Sequence, residues 1–510
     1  MSKLSFSTSG VLHSGRRWKT AIALLTFSSL AGAQTLPSLP LLSGNASANA
    51  GGSSAGASAS SSTLPGLPAL PGLSDLLRKI PQTNLGDLGT RPTRTWATPT
   101  EAPGKRCFKG NIPIDLPLLT PPTNNALVDL SSLAALSPKV PSYVYGELCM
   151  QQADLLAATD SDVAKRKPPT ILLLTHGITY GTWYWDFPYK PEVYSIVNHL
   201  NKAGYATLAI DRLGHGRSAH PPSVLTLMGN QANITNQLVS KLKSGKIFDV
   251  KFNNVGTVGH SYGSGISHLN AATYNASDAV FLTGWGHRLT ADTLVQLVAP
   301  GLGSQPAALD SRVSSEPWSL DPGYLMPLPG SRGQTALHYP PNTEKEVLAL
   351  DEKYANSVTL PELGTFAPPQ YTGASKAIKV PTFILTGQFD ALFCGNSVAN
   401  CTTTAQTTDS PEVVEKASVA FRAAEAPFFS PRACARMAVI PNAGHDLSLE
   451  KNAGQFAAQI AYFADQAIGK HGENATAYRA GCASRPATFF DALPETSRLI
   501  PPLELSLQPR

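Results

Sequence analysis

The stretch that decides the fold is VGTVGHSYG, residues 255–263, in which an apolar run leads into a serine flanked by glycines. Its last five residues, Gly259-His260-Ser261-Tyr262-Gly263, have the pattern G-x-S-x-G, and mostly small residues continue to about Tyr274. When a strand turns this tightly into a helix, only small residues fit two positions before and two positions after the serine. The stretch therefore predicts a strand, a strained turn and a helix, with the Ser261 hydroxyl raised clear of a sheet.

The segments around this stretch alternate between short apolar runs and helical patterns. Further strands are predicted at residues 142–148, 171–174, 205–210, 279–285, 382–386 and 437–440. Helices are predicted from Pro191 to a cap at Gly204, at residues 411–426 with Ser410 as N-cap, and at residues 453–468. This alternation predicts an α/β fold with a mainly parallel central sheet and helices on both faces.

Residues 286–379 interrupt the alternation after the sixth core strand. The segment is rich in proline and glycine and has no clear strand pattern. It predicts an inserted cap over the site, with Leu325, Met326 and Leu328 as candidates for lining it, although core packing is at least as good an interpretation for each. The alternative is a small second domain unrelated to the site. The remaining segments are then two pieces of the core at 107–285 and 380–470, and a C-terminal extension at 471–510.

The N-terminus has the layout of a secretory signal peptide. Basic residues at 16, 17 and 19 precede an apolar run from Thr20 to Leu30, and Ala31-Gly32-Ala33 offers a cleavage site. The run is roughly half of the ~20 residues that span a bilayer, so a signal peptide at 1–33 is favoured over a membrane anchor, and no transmembrane segment is expected. Residues 34–106, rich in Ser, Ala, Gly and Pro, are predicted to be a flexible leader, either a linker or a propeptide.

The cysteines and glycosylation motifs agree with export. The six cysteines are an even number and none lies in a C-x-x-C pair, which favours disulfides over zinc. Cys394 and Cys401 are close enough in sequence to close one small loop, and the pairing of the others is left open. Asn-x-Ser/Thr acceptors occur at Asn45, Asn233, Asn275, Asn400 and Asn474. A secreted, extracellular, N-glycosylated protein is therefore expected.

The charges are scattered along the chain. The 40 basic and 35 acidic residues form no basic stripe, so no nucleic-acid partner is expected. Charge says little about the substrate, and the oligomeric state stays open.

A serine hydroxyl needs a base, and that base needs an orienting carboxylate. His445 follows the last predicted strand on a glycine-containing loop, and Asp390 follows the strand before it. The order Ser261, Asp390, His445 predicts a catalytic triad. His260 is interpreted as a motif filler that points away from the site, and Asp446 is set aside because it adjoins His445.

The oxyanion of acyl transfer needs backbone donors. The N–H of Tyr262, directly after the nucleophile at a helix N-terminus, is one predicted donor. The loop after strand 171–174 supplies the second, for which Ile178 is chosen and Thr179 is the runner-up.

The sequence resembles the α/β-hydrolase superfamily, in the branch (AB hydrolase-1 type) with H-G, D-R-x-G-x-G-x-S and G-H-S-x-G blocks. They stand here at residues 176–177, 211–218 and 259–263. Tyr184-Trp185-Asp186 and the Cys394 to Cys401 loop are similar to secreted fungal members. The resemblance implies a Ser/His/Asp mechanism without metal or organic cofactor. Relatives with epoxide hydrolase or dehalogenase activity have Asp at the elbow, and Ser261 argues against them.

These features predict a serine hydrolase that cleaves a carboxylic ester or lactone of a small-molecule or lipid-like substrate through an acyl-enzyme. Peptide cleavage, perhydrolysis or carbon–carbon bond cleavage on the same triad are alternatives. A non-catalytic binding module is a further alternative, which the presence of all three triad residues disfavours.

Overall fold

The structure is a computed structural model that describes seven parts of the chain. They are residues 104–118, 139–154, 168–288, 303–334, 337–366, 373–394 and 401–483. The predicted signal peptide lies outside them, as does the predicted leader up to residue 103. The predicted end of the leader at residue 106 is two residues too late, because Lys105 and Arg106 already belong to the first strand.

An eight-stranded sheet organises the described residues. Its order is β1-β2-β4-β3-β5-β6-β10-β11. The pairs β1/β2 and β2/β4 are antiparallel and all others are parallel, which confirms the mainly parallel sheet. The strands are β1 (Lys105–Pro117), β2 (Lys139–Gln151), β3 (Ile171–Thr175), β4 (Ala206–Ile210), β5 (Val255–His260), β6 (Ala279–Thr283), β10 (Thr382–Gly387) and β11 (Arg436–Ile440).

Ten α-helices are described. They are α1 (Pro191–Tyr194), α2 (Ile196–Lys202), α3 (Met228–Lys243), α4 (Tyr262–Tyr274), α5 (Lys345–Tyr354), α6 (Leu360–Thr365), α7 (Pro411–Ala417), α8 (Val419–Glu425), α9 (Ala453–Ala467) and α10 (Ala475–Ala483). None of these described helices is long and apolar enough to cross a bilayer.

Helices cover both faces of the sheet, as β3 makes clear. Leu172 and Leu174 belong to the apolar cluster that includes α2 and α9, whereas Ile171 and Leu173 belong to the cluster that includes α3. Successive residues of a strand point to opposite faces, so the wholly apolar run at 171–174 reflects burial on both sides.

Two helices predicted as continuous are each broken at a serine. Ser195 separates α1 from α2 in an extended conformation, and its hydroxyl donates to Asp186 Oδ1 (2.6 Å) and accepts from the Asn198 N–H. Ser418 separates α7 from α8, and its hydroxyl accepts from the Val439 N–H of β11 (2.8 Å). In both cases a serine side chain offers the backbone an alternative to the continuous helix.

The insert contains a three-stranded antiparallel sheet that the sequence did not predict, formed by β7 (Ser304–Pro306), β8 (Tyr324–Pro327) and β9 (Val358–Thr359). Strands of two to four residues are too short to show an alternating pattern. Met326 is buried in the insert's own small apolar cluster, Leu325 is half-buried, and Leu328 is exposed. Met326 therefore packs in a core.

Two disulfides and three of the five glycosylation motifs fall within the described residues. Cys394 is bonded to Cys401, as predicted, and Cys107 is bonded to Cys149 across the β1/β2 pair. Of the predicted acceptors, Asn233 is buried in α3 and its amide donates to Tyr274 Oη. Asn474, in contrast, is exposed. Asn45 and Asn400 lie outside the described residues.

Candidate active site

The turn between β5 and α4 has the strained geometry expected of its sequence. Ser261 has φ 52° and ψ −118°, a combination that non-glycine residues rarely adopt. A Cβ on Gly259 would overlap the backbone of Gly263, and a Cβ on Gly263 would overlap the Thr175 carbonyl at the end of β3. The Ser261 N–H donates to the Thr283 carbonyl (2.9 Å). Packing against β3 and β6 therefore holds the turn and excludes larger residues.

Asp390 and His445 meet at the ends of β10 and β11. His445 Nδ1 donates to Asp390 Oδ2 (2.9 Å), and both residues are buried. Asp390 also accepts from Thr386 Oγ1 and from the Leu392 N–H. These contacts fix the carboxylate, which in turn fixes the tautomer of His445 and leaves Nε2 as its basic nitrogen.

Burial alone would lower the pKa of His445, but the charge and hydrogen bond of Asp390 outweigh it, so this pKa is raised above 6.5. Burial would also raise the pKa of Asp390, but the charge and hydrogen bond of His445 hold it below its usual value. The pair therefore favours an imidazolium beside a carboxylate, which is the state that a general base reaches when it accepts a proton.

Ser261 and His445 both lie next to His260 at the strand ends. A Cβ on Gly177 would lie 3.1 Å from Ser261 Cβ, and a Cβ on Gly284, after β6, would lie 3.0 Å from His445 Cε1. Within the described residues His445 Nε2 has no hydrogen-bond partner, and Ser261 Oγ makes no hydrogen bond to it. Such bonds are often long before substrate binds and tighten in the reacting complex.

The two backbone donors predicted for an oxyanion also lie at this edge of the sheet. Tyr262 is the first residue of α4, and Ile178 follows Gly177 in the loop after β3. Neither N–H makes a hydrogen bond within the described parts of the chain. Two free N–H groups beside the Ser261 turn are what a developing oxyanion requires.

The interpretation of His260 as a filler that points away from the site is wrong. Its ring centroid lies 4.8 Å from that of His445, and it stacks on Tyr184. His260 Nε2 bonds to Asp446 Oδ1 (3.2 Å), and Asp446 also accepts from Tyr180 Oη. Burial lowers the pKa of His260 to about 4. Asp446 thus supports the neighbouring histidine and not His445, in agreement with its exclusion from the triad.

Sequence reasoning missed three buried ionisable side chains of the insert that lie in this region. Arg332 is paired with Asp351 (2.7 Å), and His338 Nε2 bonds to the same carboxylate (2.9 Å). His338 also lies 3.7 Å from Asp446. The contacts that bring these residues together join segments far apart in the chain, so no local pattern in the sequence indicated them.

Among the described residues one group has metal-ligand chemistry, namely His260, His445 and Asp446, whose ligand atoms lie within 4.8 Å of one another. All three are buried, and the Asp446 oxygens are already bonded to His260 and Tyr180. The arrangement therefore fits a hydrogen-bonded support for His260, beside His445, better than a metal centre.

A second row of serine, histidine and acid lies near the base of the insert. Glu425 Oε2 bonds to His287 Nδ1 (2.6 Å), His287 Nε2 to Ser375 Oγ (2.6 Å), and Ser375 Oγ to His268 Nε2 (2.8 Å). All four residues are at most 2% exposed. We call this set the Ser375 row.

The sequence and the fold both have matches among known proteins. The family model described as "Alpha/beta hydrolase family" matches residues 171–459, a range that contains Ser261, Asp390 and His445. No curated protein matches the chain.

Similar solved structures include lipases and an esterase. A soluble variant of monoglyceride lipase from Saccharomyces cerevisiae is 17% identical, with 63% of this chain and 92% of that chain covered and a TM-score of 0.38. The monoacylglycerol lipase of Paleococcus ferrophilus is 14% identical (57% and 93% covered, TM-score 0.35). An esterase from Exiguobacterium antarcticum is 16% identical (63% and 96% covered, TM-score 0.36).

Proposed function

The chain belongs to the alpha/beta hydrolase family, and from this premise we propose that it is a serine hydrolase that cleaves a carboxylic ester or lactone through an acyl-enzyme. Ser261 is the nucleophile, His445 the general base and Asp390 the residue that orients it. One observation carries the proposal: the Asp390–His445 hydrogen bond leaves His445 Nε2 without a partner at the edge of the sheet where the strained Ser261 turn lies.

The first half of the proposed mechanism forms the acyl-enzyme. Ser261 Oγ attacks the carbonyl carbon while His445 Nε2 takes the hydroxyl proton, and the carbonyl oxygen becomes an oxyanion held by the N–H groups of Tyr262 and Ile178. The tetrahedral intermediate collapses when its bond to the alkoxy oxygen breaks. The leaving alkoxide receives the proton from His445, so the base returns to its neutral state.

The second half repeats these steps with water. His445 removes a proton from a water molecule, the resulting hydroxide attacks the acyl carbon, and the bond to Ser261 Oγ breaks. The proton passes back to the serine and the carboxylic acid leaves. No metal or organic cofactor is required by this sequence of steps.

The insert, residues 286–379, is proposed to restrict access to the serine. Ser261 is only 6% exposed. From the insert, Thr365 Oγ1 contacts Tyr262 Oη (3.1 Å), and Phe366 stacks on the Tyr262 ring. Phe366→Ala should therefore raise kcat/KM for long acyl esters more than for acetate. Phe421→Ala, which removes an equally buried ring in α8, should leave this ratio unchanged.

Export is proposed on the signal-like N-terminus together with the described disulfides. Disulfides persist in oxidising compartments, where a two-strand pair such as β1/β2 benefits from the cross-link. The intact mass of the secreted product should correspond to cleavage near Ala33 with oxidised cysteines. A product that begins at Met1 or contains six free thiols would contradict this part of the proposal.

The proposed chemistry is tested by turnover of p-nitrophenyl butyrate and a small aryl lactone, with a peptide anilide and a peracid assay in parallel. The wild type should hydrolyse the ester or lactone. If deacylation is slower than acylation, one equivalent of phenol per enzyme should be released in a burst. Turnover should be lost in Ser261→Ala. Activity confined to the peptide or peracid assay would replace the ester proposal by another chemistry on the same triad.

A further inference from the structure

Side chains hold the loop that contains Ile178 at two successive peptide groups. The first joins Gly177 to Ile178, and the second joins Ile178 to Thr179. The Gly177 carbonyl accepts from His176 Nδ1 (2.7 Å) and from an Arg212 guanidinium N–H (3.2 Å). In a planar trans peptide the N–H points opposite to the carbonyl, so these two donors also aim the Ile178 N–H. The direction of the proposed oxyanion donor is thus set by hydrogen bonds behind it.

The next peptide plane is held from the insert. Thr179 Oγ1 donates to the Ile178 carbonyl (2.7 Å) and accepts from Arg332 Nη1 (2.6 Å). The Thr179 carbonyl accepts from the N–H of Asn356, also in the insert (2.8 Å). Thr179 has φ 61°, a conformation that is strained for a β-branched residue. Such a conformation persists because surrounding contacts hold it.

Arg332 is itself held rigidly. It is 1% exposed, pairs with Asp351 of α5 (2.7 Å) and lies over the Tyr180 ring (4.3 Å). Burial opposes its charge, but the Asp351 carboxylate outweighs burial and raises the pKa of Arg332. A fully buried ion pair contributes little net stability compared with apolar packing, so its value here is the fixed position of the guanidinium.

We propose that Arg332 is a positioning residue for the hydrolysis reaction: from the insert, it holds Thr179 and thereby places the Ile178 N–H for the oxyanion. This inference rests on the proposed function. It makes the insert part of the catalytic apparatus as well as a cover, because the loop reaches its strained conformation only when Arg332 and Asp351 are in place.

The inference is tested with Thr179→Val, which removes the hydroxyl that Arg332 contacts at nearly constant volume, and with Arg332→Gln. Both should lower kcat by about 10- to 100-fold, the scale of a small misplacement in an active site. The KM for the ester should change little. The affinity for a trifluoromethyl ketone, whose adduct carries the oxyanion, should fall by the same factor as kcat, because both depend on the transition state.

Two control variants separate positioning from folding. Thr179→Ser retains the hydroxyl and should retain kcat. Arg312→Gln removes another arginine of the insert, which is bonded to Asp310 (2.6 Å) and has no contact with the loop, and it should leave the inhibitor affinity unchanged. The double variant Thr179→Val/Arg332→Gln should be hardly worse than either single variant.

The inference is overturned if the wild type is active and Thr179→Val keeps wild-type kcat and inhibitor affinity. It is equally overturned if kcat falls in these variants without a matching loss of inhibitor affinity, or if Arg332→Gln fails to fold while Thr179→Val folds and behaves as wild type. A wild type that neither turns over esters nor reacts with the ketone would instead refute the proposed function, and this inference with it.

Discussion

The molecule contains two rows of serine, histidine and acid, and they differ in one respect. In the Ser375 row every link is made: Glu425 to His287, His287 to Ser375, and Ser375 to His268. In the Ser261 row the acid and the base are joined, but the basic nitrogen of His445 has no partner and the serine lies in a strained turn. The row with the better hydrogen bonds is the one we expect to be chemically inert.

The difference follows from what each row can offer a substrate. The Ser375 hydroxyl lies between two imidazoles, is 1% exposed, and sits in a short 3₁₀ turn. This hydroxyl is hydrogen-bonded on both sides, and such buried hydrogen bonds contribute stability and rigidity. A nucleophile needs instead a base with a free lone pair and donors for the oxyanion. The surroundings of the serine, histidine and acid, and not the residue types themselves, therefore distinguish a catalytic row from a structural one.

The largest effect should come from exchanging one serine in each row. Ser261→Ala should lower aryl-ester turnover by several orders of magnitude, while its fold remains intact because alanine is as small as the turn requires. Ser375→Ala should leave turnover near the wild-type value. Steady-state kinetics of both variants, with circular dichroism as a check of folding, decide the matter. Equal loss of activity in the two variants would contradict the proposal that only the Ser261 row is catalytic.

Changes to the histidine and acid of each row should have the next largest effect. His445→Ala should do nearly as much harm to kcat as Ser261→Ala, and Asp390→Asn similar or less, because it spoils the orientation of the imidazole. The double variant Ser261→Ala/His445→Ala should be hardly worse than either single variant, since the residues act as a unit. Glu425→Gln, the matching change in the Ser375 row, should leave kcat near wild type.

The pH dependence of kcat/KM should report on one row alone. His445 acts as a base only when neutral, and its pKa is raised above 6.5, so activity should fall as the pH is lowered through a midpoint above 6.5. Burial, with the nearby His287 charge, lowers the pKa of His268 in the other row to about 3, so this residue stays neutral over the same range. A profile that is flat from pH 5 to 9 would contradict His445 as the base.

The smallest expected effect is on the free energy of unfolding, which should depend more on the Ser375 row than on the Ser261 row. Ser375→Ala leaves two buried imidazole nitrogens without a partner and should lower the free energy of unfolding by about 1–3 kcal/mol. Ser261→Ala should cost less, because His445 Nε2 has no hydrogen-bond partner in the wild type and none is lost. Urea unfolding of both variants tests this. A larger loss of stability in Ser261→Ala would show that its hydroxyl has a structural role.

What the sequence could predict depended on how local the signal was. The Ser261 turn, seven of the eight strands of the main sheet and the disulfide Cys394–Cys401 each lie within a short segment, and the structure has them close to where they were expected. Strand β1 was not predicted. The positions of His260 and Arg332 depend on contacts with Asp446 and Thr179, more than 100 residues away in the chain. No periodicity records such contacts.

The helix breaks at Ser195 and Ser418 escaped prediction for the same reason. Each serine is compatible with a helix in its own sequence, and it is the tertiary partner, Asp186 in one case and the β11 backbone in the other, that interrupts the helix. The strands of the insert were missed because of their length. Prediction therefore ended where a side chain's role was decided by a distant segment.

Reaction of the wild-type protein with a fluorophosphonate, followed by peptide mapping by mass spectrometry, tests the central claim most directly. We predict one phosphonyl group per chain, attached to Ser261, with no modification of Ser375 and no labelling of the Ser261→Ala variant. Labelling at Ser375, or an unlabelled wild type that is correctly folded, would contradict the assignment of Ser261 as the nucleophile.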